Sequence, residues 1–405
     1  MSNILFCAGS TGGHFYPAYS IIQNLPNNNY FLILPINSVN IDQVSLLEQK
    51  YNIEAFYIKP FYHFYLKNIF ANISVFFTDV LFIANLIDKL SIDIVITLGS
   101  SNSIPSAVAA KLKNKKLIIM EQNVLVGKAN KFLANLADII VIPFKESLNY
   151  INKSFHNKSF IFPNPLRKEF YLIENNKGNL INDNGINLLF IGGSLGAKSI
   201  NNLALKFLDF LLSNFENSLN ISKVFIISGK KNYKELLNSL FNLIQNKTNL
   251  DYDKNIYDNK LIIKFYNRDV NLEINVMEYV DEIIDFYLNS DIIVSRAGGI
   301  ATTEILYLNK NAILIPYPYA ADDHQYYNAL TACNYNPNID LIKEEKNTEI
   351  DFPAFISKLQ QNIKKINKKN YEVNKNFIFD FKKFSELIHA KYYPVIKKEE
   401  IKKEF

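Results

Sequence analysis

The 405-residue chain has no tryptophan, only two cysteines, no apolar run long enough to cross a bilayer and no large excess of either charge. Each absence excludes something. Cys7 and Cys333 are too few and too far apart for a disulfide framework or a thiolate metal site, which points to a reducing compartment. The most apolar helical candidate, "ISVFFTDVLFIANLI" at 73–87, is interrupted by Asp79 and falls short of the roughly 20 residues a spanning helix needs, so nothing is expected to cross a membrane. The opening "ILFCAG" leads directly into a glycine loop, without the basic flank, apolar core and small-residue cleavage site of an export signal. Forty-four Lys and Arg against 39 Asp and Glu leave +5, too small an excess to indicate a nucleic-acid partner, although of the sign that anionic surfaces attract.

What is present is the material of globular domains. Hydrophobic residues make up 48% and charged residues 20%, enough to build sizeable cores and to exclude global disorder. The length suggests two domains. The surplus of Asn, Lys, Ile, Phe and Tyr reads as the bias of an AT-rich genome, so the asparagine content carries little functional information.

Short β-rich runs recur at 3–8, 93–99 ("DIVITLG"), 116–120 ("KLIIM") and 138–144 ("DIIVIPF"), separated by helix-length segments. The rhythm restarts with "INLLFIGG" (186–193), "KVFIISG" (223–229), "LIIKFY" (261–266), "DIIVSRAGG" (291–299) and "AILIPYP" (312–318). Apolar strands alternating with helices make parallel sheets covered on both faces. Both halves open as strand, glycine turn, helix, in "NILFCAGSTGGHFYPAYSII" and in "LLFIGGSLGAKSINNLALKFL". We therefore expect an α/β chain of two Rossmann-like, doubly wound domains, divided near "FPNPLRKEF" into residues 1–165 and 166–374. Residues 246–260 read as a polar surface insertion. A helix over about 375–395 and a Lys-rich tail at 396–405 close the chain.

A glycine turn between strand and helix exposes backbone N–H groups at the positive end of the helix dipole, a ready site for an anion. Gly12-Gly13 and Gly192-Gly193-Ser194 both fit, with Thr11 and Ser194 supplying hydroxyls, and neither matches the dinucleotide or Walker patterns. In "SRAGGIATTEI" (295–305) another strand ends in glycines, and Glu304 either grips vicinal hydroxyls or simply complements the helix dipole. "PYPYAADDHQYYNA" (316–329) places Asp322, Asp323, His324 and Gln325 after a strand, where open α/β sheets bind ligands. Three adjacent residues do not converge on one ion without distant partners, so no metal site is expected.

Taken together, S-T-G-G-H-x-x-P-A at 10–18, E-Q-N at 121–123, N-P-x-R at 164–167, G-G-S-x-G-A at 192–197, S-R-A-G-x-x-x-T-x-E at 295–304 and D-H-Q-x-x-N-A at 323–329 strongly resemble the MurG family. The motifs run in order from residue 5 to about residue 330. The resemblance implies a GT-B architecture, two Rossmann-like domains facing across a cleft with the C-terminal helix returning to the first. It also implies an inverting transfer of N-acetylglucosamine from its UDP donor to the C4 hydroxyl of the polyprenyl-diphosphate acceptor lipid I, making lipid II for peptidoglycan, without a cofactor. The enzyme would sit peripherally on the cytoplasmic face of the bacterial inner membrane. No motif names a protein partner.

Carried over motif by motif, the donor contacts would be Thr11, Gly12, Gly13, Asn123, Arg167, Ser194, Val280, the segment Gly299, Ile300, Ala301, Thr302, Thr303 and Glu304, and Gln325. In that reading Arg167 and the Ser194 turn neutralise the diphosphate, the Val280 backbone reads the uracil edge and Glu304 holds the ribose. Asn123 and Gln325 meet the sugar. An imidazole, ordinarily titrating near pH 6.5, suits the removal of the acceptor proton, so His14 is the candidate base with Glu121 in reserve. Residues 56–87, rich in aromatic and aliphatic side chains with Lys59, His63 and Lys67 among them, have the composition of an interfacial docking segment or of core helices. One departure stands out: "LGSSNSIPSAVAA" (98–110) has Ser100, Ser101 and Asn102 where the family tends to have glycines.

Overall fold

The protein is described here from a computed structural model, which covers residues 2–9, 12–36, 41–51, 53–59, 69–173, 185–193, 196–214, 219–247, 251–267, 270–366 and 372–390. Thr11, Ser194, His63, Lys67 and the Lys-rich tail lie outside the described residues. The chain divides into two units, Met1–Lys168 with Ile378–Phe405, and Glu169–Phe377.

The first unit contains β1 (Asn3–Cys7), α1 (Gly12–Asn24), β2 (Asn29–Pro35), α2 (Ile41–Tyr51), β3 (Glu54–Ile58), α3 (Ile69–Lys89) and β4 (Ile94–Thr97), followed by α4 (Ser103–Leu112), β5 (Lys116–Met120), α5 (Lys128–Leu133), β6 (Ile139–Ile142) and β7 (Ser159–Ile161). Among the described residues its strands form one sheet in the order β3-β2-β1-β4-β5-β6-β7, every pair parallel. The central strands are continuous apolar runs because helices cover both faces, and β4 and β6 are buried at every residue. Leu5, Val95, Ile119 and Ile140 from the sheet pack with Ile83, Ile87, Ala107 and Leu133 from the helices. Asp79, which interrupts the apolar pattern of α3, is itself buried, and burial raises its carboxyl above the usual carboxylate range against the opposing pull of Lys59.

The second unit runs through α6 (Lys168–Tyr171), β8 (Ile186–Ile191), α7 (Lys198–Ser213), β9 (Ile221–Ile227), α8 (Tyr233–Gln245), β10 (Asp251–Tyr257), β11 (Lys260–Asn267) and β12 (Val270–Met277). It continues with α9 (Ile284–Leu288), β13 (Ile292–Ser295), α10 (Gly299–Tyr307), β14 (Asn311–Leu314), α11 (His324–Tyr335), β15 (Ile339–Leu341) and α12 (Phe352–Lys365). Its sheet has the order β10-β11-β12-β9-β8-β13-β14-β15. Ile200, Leu203, Ala204, Phe207, Leu208, Leu211 and Leu212 recur at the three- and four-residue spacing of one helical face, and they bury α7 against the sheet. Cutting Phe207 to Ala would leave a cavity costing about 3–5 kcal/mol.

One expectation needs correction here. "LIIKFY" at 261–266, read within the parallel set, belongs to β11 and pairs antiparallel with both β10 and β12. The cause is local: Tyr257 faces Lys260 across a two-residue connection, and so short a link permits only an antiparallel neighbour. The supposed insertion at 246–260 supplies that hairpin, and each residue of β10 is exposed at the sheet edge.

The C-terminal helix α13 (Phe381–His389) belongs to the first unit and buries Phe384, Leu387 and Ile388. Phe162 packs against Phe379 and Phe384 at ring distances of 5.4 and 5.7 Å. The Lys116 ammonium donates to the carbonyls of Ile388 (2.8 Å) and Ala390 (2.9 Å), placing a cation at the negative end of that helix. Among the described residues no helix is long and apolar enough to cross a membrane.

Candidate active site

The chain order reverses between β1 and β4 in the first sheet, and between β8 and β13 within the parallel part of the second. Loops leaving the carboxyl ends of strands diverge at such a point and leave a crevice, which is where open α/β sheets take their ligands. Both glycine turns noted in the sequence sit there.

In the first unit the turn after β1 presents His14, half-buried on the first turn of α1. Its Nδ1 lies 2.7 Å from the Leu98 carbonyl oxygen and 3.1 Å from Gln122 Oε1. The Gln122 amide is oriented by its own Nε2, which donates to the Met120 carbonyl at 3.0 Å and leaves Oε1 facing the ring. Two acceptors at Nδ1 select the tautomer of the neutral ring that carries its proton there and its lone pair on Nε2. Two glycines make room for the ring. A Cβ on Gly9 would come within 2.9 Å of His14 Cδ2, and one on Gly99, whose φ is +83°, within 3.2 Å of Cε1. On the other side of α1's start, a Cβ on Gly13 would meet nothing within 4 Å, so backbone is open to a ligand there, and Gly12 beside it is buried.

Glu121 is a different kind of residue. Its Oε1 accepts from the backbone N–H groups of Gln122 (2.9 Å) and Asn123 (3.0 Å) and from Asn123 Nδ2 (3.1 Å), and its Oε2 accepts from the Gly127 N–H and Asn130 Nδ2, both at 2.9 Å. Four donors from the loop it begins and one from α5 make this carboxylate an anchor for residues 121–127, and on that geometry the reserve role as base is set aside. Asn123 is tied to the same anchor. Asn164 donates to the Gln122 carbonyl at 2.9 Å, linking two of the sequence motifs. Arg167 belongs to this unit, with its guanidinium 5.2 Å from the centre of the Tyr16 ring. In the loop that departs from the family pattern, Ser100 takes φ +69°, the left-handed conformation normally left to glycine, so the replacement keeps a glycine-like backbone at about 1 kcal/mol of strain.

In the second unit α7 and α10 both begin at the switch point, and the residues that precede them, Ala197 and Gly298, have no side chain that accepts from the helix N–H groups. That is the arrangement in which a helix start binds an anion. Gly299 opens α10, Ile300 and Ala301 are half-buried, and Thr302 and Thr303 are buried. Thr303 Oγ1 donates to the Gly299 carbonyl at 3.0 Å, while the Thr302 hydroxyl has no partner among the described residues. Glu304 is 6% exposed, and its Oε2 accepts from the hydroxyl of buried Tyr287 at 3.1 Å. Val280 lies partly exposed beyond the end of β12. Gln325 accepts from the Tyr317 N–H at 2.9 Å through Oε1, which turns its amide N–H groups away from that loop. Asp322 and Asp323 both have positive φ, of 52° and 57°. Among the described residues no three His, Cys, Asp or Glu side chains gather as a metal ion would require.

Residues 4–142 match the N-terminal domain of glycosyltransferase family 28, and residues 187–388 match its C-terminal domain. The chain belongs to glycosyltransferase family 28. As a family 28 enzyme it is a glycosyltransferase built, as expected, from two Rossmann-like α/β units of the GT-B type. Among curated relatives, proteins named UDP-N-acetylglucosamine--N-acetylmuramyl-(pentapeptide) pyrophosphoryl-undecaprenol N-acetylglucosamine transferase recur. That of Francisella philomiragia is 27% identical over 350 residues, covering 86% of each chain. That of Francisella tularensis subsp. tularensis is 29% identical over 384 residues, covering 93% of this chain and 94% of the relative. Among solved structures, MurG of Acinetobacter baumannii has a TM-score of 0.60 at 20% identity, over 90% of this chain and 93% of that one. The UDP-GlcNAc 2-epimerase of Neisseria meningitidis has 0.55 at 15%, over 89% and 91%, a likeness of fold alone.

Three parts of the site carried no individual signal in the sequence: the Leu98 carbonyl, Gln122 as a partner of His14, and Tyr287. Leu98 and Gln122 do lie inside quoted motifs, so motif membership was the available clue. Tyr287 had none.

Proposed function

We propose that this glycosyltransferase moves N-acetylglucosamine from UDP-N-acetylglucosamine to the C4 hydroxyl of the N-acetylmuramyl unit of lipid I, with inversion at the sugar's C1. The observation that carries the reading is the held imidazole: His14 Nδ1 is committed to Leu98 and Gln122, so Nε2 is the nitrogen left to accept a proton. As the acceptor oxygen attacks C1, its proton passes to Nε2, the bond from C1 to the diphosphate oxygen breaks, and UDP leaves with the electron pair. The starts of α7 and α10 supply positive dipole ends for that diphosphate, aided by Ser194 and Arg167. Glu304, aligned by Tyr287, holds the ribose hydroxyls, the Val280 backbone meets the uracil, and Gln325 and Asn123 meet the sugar. Thr11, Gly12 and Gly13 let backbone approach the reacting groups.

A polyprenyl acceptor requires access to a bilayer surface, and α3 has a face suited to it. Ile73, Phe77 and Leu81, spaced four residues apart, are 40, 59 and 64% exposed, and Phe82 beside them is 41% exposed. In our reading this stripe seats the enzyme peripherally on an anionic membrane, at the cytoplasmic face of the inner membrane.

The deciding experiment incubates the purified chain with labelled UDP-N-acetylglucosamine and a short-chain lipid I analogue. Labelled disaccharide product is expected. Release of UDP only with diacylglycerol would favour a glycolipid synthase, and donor binding without transfer would favour a non-catalytic subunit; either result overturns the proposal.

A further inference from the structure

A buried ion pair that the proposed mechanism does not use lies at the carboxyl end of the second sheet. Arg296, directly after β13, is 6% exposed, and Glu344, just beyond β15, is 8% exposed. The Arg296 Nη1 donates to Glu344 Oε2 at 2.5 Å and to the carbonyls of Ile315 and Pro316, both at 3.1 Å. Its Nη2 donates to the hydroxyl of Ser199, the second residue of α7, and that hydroxyl donates to Glu344 at 3.3 Å. The Tyr317 ring covers the guanidinium at 5.4 Å, and the Tyr317 N–H is the donor that holds Gln325.

One side chain thus joins three segments that meet at the switch point: the start of α7, the exit of β14 and the exit of β15. Stability alone does not call for charge here, because apolar side chains of similar volume often replace a buried ion pair without loss. Apolar contacts, however, cannot fix two carbonyls, a helix-start hydroxyl and a carboxylate in one set of directions. A guanidinium, with a planar fork of donors, can.

We propose that Arg296 and Glu344 are positioning residues for the nucleotide-sugar donor, aligning the α7 start for the diphosphate and the Tyr317–Gln325 link for the sugar. This inference rests on the donor site proposed above. The test uses the full chain with the double substitution Arg296→Met with Glu344→Leu, which keeps volume and removes the directed bonds. Calorimetric titration with UDP-N-acetylglucosamine should show affinity at least tenfold weaker than wild type, while Tm stays within a few degrees and KM for the lipid I analogue is unchanged. Wild-type donor affinity in the double variant overturns the proposal, as does a rise in acceptor KM that parallels the donor's, which would mark general loosening. If the double variant does not fold, Arg296→Lys decides, since it keeps the charge and loses the fork: a donor KM raised severalfold with acceptor KM constant supports the role, and an unchanged donor KM refutes it. Failure of the wild-type chain to bind UDP at all would instead defeat the donor-site reading, and this inference with it.

Discussion

After β1 the first unit holds an imidazole between glycines, whereas at the carboxyl ends of β8 and β13 the second unit brings together helix starts and paired charges. In the first, Gly9 and Gly99 clear space for a ring whose one nitrogen is tied to Leu98 and Gln122. In the second, the nearby ionisable groups are tied to one another or to tyrosine, Arg296 to Glu344 and Glu304 to Tyr287. The same strand-turn-helix unit therefore does two jobs. In the proposed reaction one turn orients a group that changes protonation, and the other presents dipoles and charges that stay as they are. What separates them is the side chain at the helix start and the partners that the neighbouring strands bring to it.

That contrast is open to attack by substitution. The largest effect should come from His14→Ala, which removes the proton acceptor: kcat should fall about 10²–10⁴-fold with donor Kd unchanged, measured by single-turnover kinetics and calorimetry. A near-normal rate would dissolve the distinction between the units. Next, Glu304→Ala should act in the opposite sense, weakening donor binding about 10–100-fold through loss of a charged acceptor, and changing kcat little. Smaller again is Gly9→Ala. Its new Cβ would press on His14 Cδ2 from 2.9 Å and displace the ring, lowering kcat about tenfold while Kd holds. A kcat equal to wild type would show that the glycine cage does not matter.

The last prediction concerns stability, with no change in turnover. Lys310 is buried in the second unit, its ammonium donating to the carbonyls of Leu288 (3.0 Å) and Ser290 (2.9 Å). Burial lowers its pKa to about 8, against the opposing charge of Asp291. A lysine in the unfolded chain titrates near 10.4, so between these values the unfolded state binds more protons and stability rises with pH. Below pH 8 both states are protonated and the penalty is fully present. Urea melts should show the unfolding free energy of wild type gaining about 2 kcal/mol on that of Lys310→Met between pH 7.5 and 9.5. Parallel pH profiles would mean the ammonium is not held as described.

Much of the architecture was legible because it is written in short-range pattern. Runs such as "DIVITLG" and "DIIVSRAGG" announce buried strands, and glycines at their ends announce turns, since each depends on a few adjacent residues. The antiparallel hairpin was missed because β10 is polar and exposed, so periodicity carried no signal there, and only the tight turn at 258–259 betrays it. Glu121 misled because its type and motif suit a base, while the five donors that occupy it come from its own folded loop and the helix that follows. The membrane-facing reading of α3 rested on composition, which cannot tell an exposed stripe from a core face. Exposure of Phe77 and Leu81 beside burial of Val80, Ile83 and Ala84 separates the two.

By itself, the sequence determined the two-fold repetition of strand, glycine turn and helix, the apolar strands and the chemical types at the loops, because these follow from residue spacing and local backbone preference. Tertiary structure alone decided which strands became neighbours, and so that His14 meets Leu98 and Gln122, some 84 and 108 residues away, and that Arg296 meets Glu344, 48 residues away. Such pairings are chosen by the burial of whole sheet faces, a collective free energy that no short stretch of residues records.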